Sequence, residues 1–276
     1  MLRTLHTTVH TVCFWAWIVV ALPLFFGPAF VIWLVTLPFD PNGRVLHLYT
    51  CLWCGQHVWT NPLWRLDVAG RENVDRKTAY VYASNHLSAG DIAVLFTLFL
   101  PFKFVSKHQN FWVPFIGWNM YLNRYVKLRR GDAASVREMI KTCKEWLGRG
   151  VSIMMFPEGT RSVSGVMGQF KLGAFKLAKD ANVAIVPIVL DGTREALPKD
   201  AVLRQWGSLP IRVRICEPVH PKDYPNPRDL ANAVRARMEE TQRTLWAMRG
   251  FVPPENAPAS ESTPAPAAAQ EEAEAS

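Results

Sequence analysis

The residues whose types and spacing best suit chemistry are His86 and Asp91, in SNHLSAGD (84–91), where a β-rich run gives way to an apolar helical one. Ligand chemistry in α/β proteins gathers at such strand ends. Four residues separate the two, a loop short enough to fold back so that the Asp91 carboxylate accepts the Nδ1 proton of His86. That arrangement fixes the ring tautomer and leaves Nε2 as a general base. Ser88 and Asp91 also form S-x-x-D, a helix-start pattern, so capping alone accounts for Asp91 but not for His86.

What the base would act on is narrowed by what is missing. There is no G-x-S-x-G elbow, and no Ser or Cys motif suggests a covalent acyl-enzyme, so the acceptor's own hydroxyl can attack an activated acyl thioester directly. A second cluster, FPEGTRS (156–162), also follows a strand-like run. Arg161 suits two-pronged binding of a phosphate, Gly159 permits close backbone approach, and Glu158 can accept from a polyol hydroxyl or orient the Arg. A surface Glu158–Arg161 pair in a tight turn explains the same spacing. Arg129 and Arg130 in YVKLRRGD, and Lys171 in GQFKLG, can add cations to a phosphate site or remain solvated charges.

None of the seven His lies in H-E-x-x-H or beside a Cys pair of zinc-site spacing, so no metal is expected. Cys51 and Cys54 have thioredoxin-like spacing, but they sit in a Trp-rich stretch where two small apolar residues on one helix face explain them as well.

The elements that must position these residues begin beyond Arg65. Residues 78–84, 102–107, 125–128, 151–156, 184–190 and 211–215 read as strands, and residues 92–100 as a helix. The clearest helix is 133–147, with Asp132 as N-cap and Val136, Met139, Ile140, Cys143, Trp146 and Leu147 on one face. Strand, helix and strand in succession predict an α/β domain with a largely parallel sheet.

Residues 12–39 run 28 positions without a charge, longer than the ~20 a bilayer-crossing helix needs, and are interrupted by Pro23 and Gly27-Pro28. A kinked span and a helix dipping into one leaflet both fit. The run is too long for a signal-peptide core and lacks a cleavage site, so it is expected to stay on the protein. After the DPNG turn (40–43), residues 45–59 carry Trp53 and Trp59 and read as an interfacial helix, or as a hairpin packed on its own domain. The expected division is an anchor over 1–64, a catalytic domain over 65–250 and a disordered acidic Pro/Ala-rich tail over 251–276.

The formal charge is +8, yet residues 251–276 hold five Glu and no Lys or Arg, leaving +13 on the remainder. Such a body suits an anionic membrane, a phosphorylated substrate or nucleic acid. No nucleic-acid-binding pattern is present, and none of that class is expected as a partner. Five cysteines, an odd number, point to a reducing compartment rather than a disulfide framework.

NHLSAGD, PFIGWNMYLNRYVKLRRGD, FPEGTRS with GQFKLG, and AIVPIVLDG follow the order and rough spacing of four sequence blocks. Over about residues 85–192 the chain resembles the glycerolipid acyltransferase superfamily, in particular bacterial 1-acyl-sn-glycerol-3-phosphate (lysophosphatidic acid) acyltransferases. The resemblance implies a mixed, largely parallel sheet flanked by helices, on an N-terminal membrane-embedded two-helix motif. It implies His86 as general base, Asp91 as its orienting partner, and Arg130, Glu158, Gly159, Arg161 and Lys171 as binders of the acceptor's glycerol phosphate. Acyl-CoA or acyl carrier protein would be the donor, lysophosphatidic acid the acceptor, and membrane phospholipids the surroundings, with no other cofactor. The cytoplasmic face of a bacterial inner membrane would be the location. Arg124, Lys127 and Arg129 before Arg130 depart from the family's second block, which leaves another lysophospholipid or a lyso-aminolipid open as acceptor. A non-catalytic lipid-binding protein is the alternative of another class.

Overall fold

The computed structural model describes residues 2–199, 202–203 and 208–252. Helices α1 (Leu2–Thr36) and α2 (Arg44–Trp59) come first. Then follow β1 (Trp64–Ala69), β2 (Val81–Ser84), α3 (Gly90–Phe96), β3 (Phe102–Lys107), α4 (Ile116–Leu122), β4 (Val126–Leu128), α5 (Ala133–Gly148) and β5 (Ser152–Met155). The chain continues through α6 (Gly173–Ala181), β6 (Ile185–Asp191), α7 (Thr193–Ala196), β7 (Leu209–Ile215) and α8 (Pro227–Met248). Of the expected acidic tail, 253–276 lies outside the described residues; Phe251 packs on Trp246 with ring centroids 5.4 Å apart.

The sheet order is β1-β7-β6-β2-β5-β3-β4, and only the β6–β7 pair is antiparallel. The carboxyl ends of β6, β2, β5, β3 and β4 therefore share one edge. Residue alternation assigns the two faces. Tyr82, Met154, Val186 and Ile188 point towards α2 and α3, meeting Cys51, Val58, Val94 and Leu95. Val81, Ala83, Ile153, Met155 and Ile185 point the other way, towards Met139, Cys143, Phe175, Leu177 and Val234 of α5, α6 and α8.

Helix α5 forms where its apolar face and cap predict. The Asp132 side chain accepts from the Ser135 N–H at 3.0 Å, a cap worth about 1 kcal/mol, and Met139, Cys143, Trp146 and Leu147 are buried. The helix expected over 92–100 is shorter, since α3 stops at Phe96 and Phe99 turns the chain with a φ of 54°. Strand β1 was not expected: its Arg65 and Asp67 disguise an edge strand whose outer face is solvated.

Pro23 and Pro28 both lie inside α1 without ending it. One side of this helix follows the rest of the protein along its length. Leu203 N–H donates to Thr11 at 3.1 Å, Trp17 donates to Gln56 at 2.8 Å, Phe14 meets Trp64, and Phe26 meets Phe115 and Trp118. The other side exposes Val19, Val20, Leu24, Val31 and Val35. Helix α2 is tied in more deeply, burying Leu46, Cys51, Trp53 and Val58.

Lys103 on β3 is 1% exposed and donates to the carbonyls of Asn42 and Asn123 at 2.7 and 2.8 Å. It thereby clasps the α1–α2 turn to the end of α4, and burial pushes its ammonium down to about 7.

Candidate active site

Strand β2 ends in a side-chain clasp rather than in ladder bonds. Buried Asn85 donates Nδ2 to Leu190 O at 2.9 Å and accepts from Leu190 N–H at 2.7 Å, pinning the strand's exit against β6. The next residue is His86. Its Nδ1 lies 2.7 Å from Asp91 Oδ2, and that oxygen also accepts the N–H groups of Leu87 and Ser88 at 2.6 and 2.8 Å. Asp91 is fully buried, while the His86 side chain keeps 13% of its surface. With Nδ1 committed, Nε2 has no hydrogen-bond partner among the described residues. The helix-start pattern is realised differently from a Ser88 cap: the N-cap position is Ala89, and the carboxylate reaches back to the loop.

Three further contacts hold His86. Its ring stacks on Phe156, centroids 4.0 Å apart and planes 11° from parallel. Its backbone N–H donates to Glu158 Oε1 at 2.9 Å, and its carbonyl accepts from Ser162 N–H at 2.7 Å. The FPEGTRS loop is thus wrapped around the histidine.

Glu158, expected to bind the acceptor's glycerol phosphate, is 2% exposed, and its second oxygen accepts from Gly168 N–H at 2.8 Å, so each oxygen holds a backbone donor and neither pairs with Arg161 among the described residues. Burial raises its carboxyl to about 7, opposed by the two backbone donors. Glu158 joins the His86 loop to the Gly168 segment and so shapes the site from behind.

The other residues of that group remain at its surface. Gly159 has a φ of 69°, and a Cβ there would come 3.0 Å from Lys171 Cε. Lys171 is brought over it because its N–H donates to Pro157 O at 2.9 Å. Arg161 and Lys171 are exposed and carry no ion pair among the described residues. Arg130 sits in the turn after β4, on the same sheet edge but beyond β3, two strands from β5, or roughly 10 Å across the sheet. The positions that sequence reasoning missed are Asn85, Phe156 and Ser162. Their signal lay in the two motifs themselves, but nothing in one-dimensional spacing says that the two loops touch. Cys51 is buried and Cys54 half-buried on α2, both as free thiols.

A histidine fixed by a buried carboxylate thus lies at the carboxyl edge of a mostly parallel sheet, against a loop that carries exposed cations. Residues 65–191 belong to the acyltransferase family, whose model, described as Acyltransferase, matches them. A 1-acyl-sn-glycerol-3-phosphate acyltransferase of Chlamydomonas reinhardtii is 40% identical over 208 residues, 73% of this chain and 61% of that protein. A chloroplastic 1-acyl-sn-glycerol-3-phosphate acyltransferase of Arabidopsis thaliana is 40% identical over 188 residues, 67% of this chain and 51% of its own length. One from Pseudomonas aeruginosa is 32% identical over 140 residues, 49% of this chain and 54% of that protein. The chain thus spans between about half and three fifths of these curated relatives. The crystal structure of the 1-acyl-sn-glycerophosphate acyltransferase of Thermotoga maritima shares the fold, with a TM-score of 0.76 at 24% identity over 89% of this chain and 98% of that one.

Proposed function

We propose that the protein transfers a fatty acyl group from a thioester, acyl-CoA or acyl carrier protein, to the sn-2 hydroxyl of 1-acyl-glycerol-3-phosphate, giving phosphatidic acid. The observation that carries this reading is His86, held on ring face, backbone and Nδ1, with Nε2 unengaged next to the loop of Arg161 and Lys171. In this mechanism Nε2 takes the acceptor hydroxyl's proton as the oxygen attacks the thioester carbonyl. The carbon–sulfur bond then breaks, and the imidazolium returns the proton to the departing thiolate. Asp91 stabilises the charged ring and fixes its tautomer. Arg161 and Lys171, with Arg130 at the rim, hold the acceptor phosphate by charge-assisted bonds. The relatives' names support this acceptor.

In the same reading the protein works at a membrane. Helix α1 is long and apolar enough to cross one. Its contacts to the domain at Thr11, Phe14, Trp17 and Phe26 argue that it lies lengthwise in one leaflet, because a transverse helix would drag those domain residues into the hydrocarbon. Five free thiols suit the cytoplasmic side of a bacterial inner membrane.

The test offers membranes containing the protein either thioester donor and a panel of lysolipids, with products read by mass spectrometry. Phosphatidic acid is expected, with a loss of about 10²- to 10⁴-fold in His86→Ala at unchanged membrane content. Near-normal turnover in that variant overturns the mechanism, and acylation of a lyso-aminolipid instead overturns the acceptor.

A further inference from the structure

The segment between β3 and β4 presents large apolar side chains outward. Trp112 is 70% exposed, and Val113, Ile116, Trp118 and Tyr121 are each more than 40% exposed. This is a built surface, not a loose loop. Gly117 N–H donates to Val113 O at 2.7 Å, and a Cβ on Gly117 would lie 2.2 Å from Phe111 O, so only glycine lets the chain fold this tightly. Phe115 takes a φ of 61° at the corner.

The patch is continuous with α1. Phe26 meets Phe115 and Trp118 with centroids 5.7 and 5.4 Å apart, and the exposed Phe30, Val31 and Leu34 follow on the next turns. Its border is cationic: Lys127 Nζ stands 4.0 Å over the Tyr121 ring, and Arg129 reaches His108, which contacts Trp112. From Ile92 to Gly131 the sequence has no Asp or Glu but six Lys or Arg. Indole and phenol rings rimmed by cations match the headgroup level of an anionic bilayer.

We propose that the Trp112–Tyr121 surface is a second membrane contact, inserted beside α1 and holding the carboxyl edge of the sheet, where His86 lies, against the lipid that supplies the acceptor. This rests on the reading of α1 as a membrane-lying helix, and the experiment separates the two. In the full chain, with Cys13, Cys54 and Cys216 replaced by Ala, an environment-sensitive fluorophore is attached at Trp112→Cys, at Lys222→Cys, an exposed position of the turn Pro221–Asp223, or at a retained Cys13 on α1. Each is mixed with phosphatidylcholine–phosphatidylglycerol vesicles carrying a nitroxide on the acyl chain.

Quenching at 112 and 13 of about twofold or more, with position 222 unquenched, is expected. Quenching at 112 without 13 keeps this surface and removes the anchor reading. A wet label at 112 beside a quenched one at 13 overturns the second contact and leaves its cationic rim to an acidic protein partner. Equal quenching at 222 also overturns it, since the protein would then have no lipid-facing side, and no quenching anywhere removes both readings.

Discussion

Glu158 is the residue whose place changes most between sequence and structure. A buried carboxylate with one backbone donor on each oxygen resists protonation by geometry and ionisation by desolvation, and the balance puts its carboxyl at about 7, above its ordinary value of 4.5. A carboxyl whose folded value is raised stabilises the fold most below its unfolded value, and that contribution is lost as pH rises through the folded one. The wild-type protein is therefore expected to lose on the order of 3 kcal/mol between pH 4.5 and 7 from this group alone. Glu158→Gln, which cannot ionise, should lack that slope: less stable than wild type at low pH for the N–H it leaves unpaired, it should gain on wild type as pH rises from 5 to 8. Denaturant unfolding of both proteins in detergent at pH 5 and pH 8 checks this. Parallel profiles would mean that Glu158 does not titrate in this window.

At the scale of elements, the site depends on how β2 leaves the sheet. Asn85 substitutes its amide for a strand partner and sets where the turn to His86 begins. Asn85→Ala leaves the buried N–H and C=O of Leu190 without these bonds, at about 1–3 kcal/mol for each group left unsatisfied. A lower Tm and a fall in acyl transfer beyond that explained by the unfolded fraction are expected, because the His86 backbone also gives and takes bonds with Glu158 and Ser162. Unchanged activity at a lowered Tm would show that the Glu158 and Ser162 bonds are enough to hold the histidine.

The whole molecule does not divide cleanly into an anchor and a catalytic body. Phe14 of α1 and Cys51 and Val58 of α2 belong to the same buried cluster as Val94, Leu95 and Tyr82. At about 2 kcal/mol for each such side chain, their loss approaches the ~5–15 kcal/mol by which a domain is stable. Removing residues 1–60 is thus expected to yield an aggregating or molten chain rather than a catalytic domain freed from the membrane. Circular dichroism melts and size-exclusion chromatography decide it, and a cooperative, monomeric product would show that α2 only rests on the sheet.

Sequence alone determined what depends on local pattern. Helix α5 was legible because Asp132 and an apolar stripe at helical spacing mark it, and β3 because FKFVSK alternates and is bounded by Pro101. His86 and Asp91 were legible as a pair because the loop between them is short enough to return the carboxylate to the ring, as it does here. Strand β1 was not, because an edge strand with solvated charges lacks the apolar pattern that marks the others. Only the tertiary structure decided the duties of Glu158, Phe156 and Lys103. Each depends on segments distant in sequence, β2 against β5 in one case and the α1–α2 turn against β3 in the other. A charged residue in a motif looks the same in one dimension whether its oxygens face a ligand or two backbone N–H groups, and burial, which settles the matter, is a property of the packed chain.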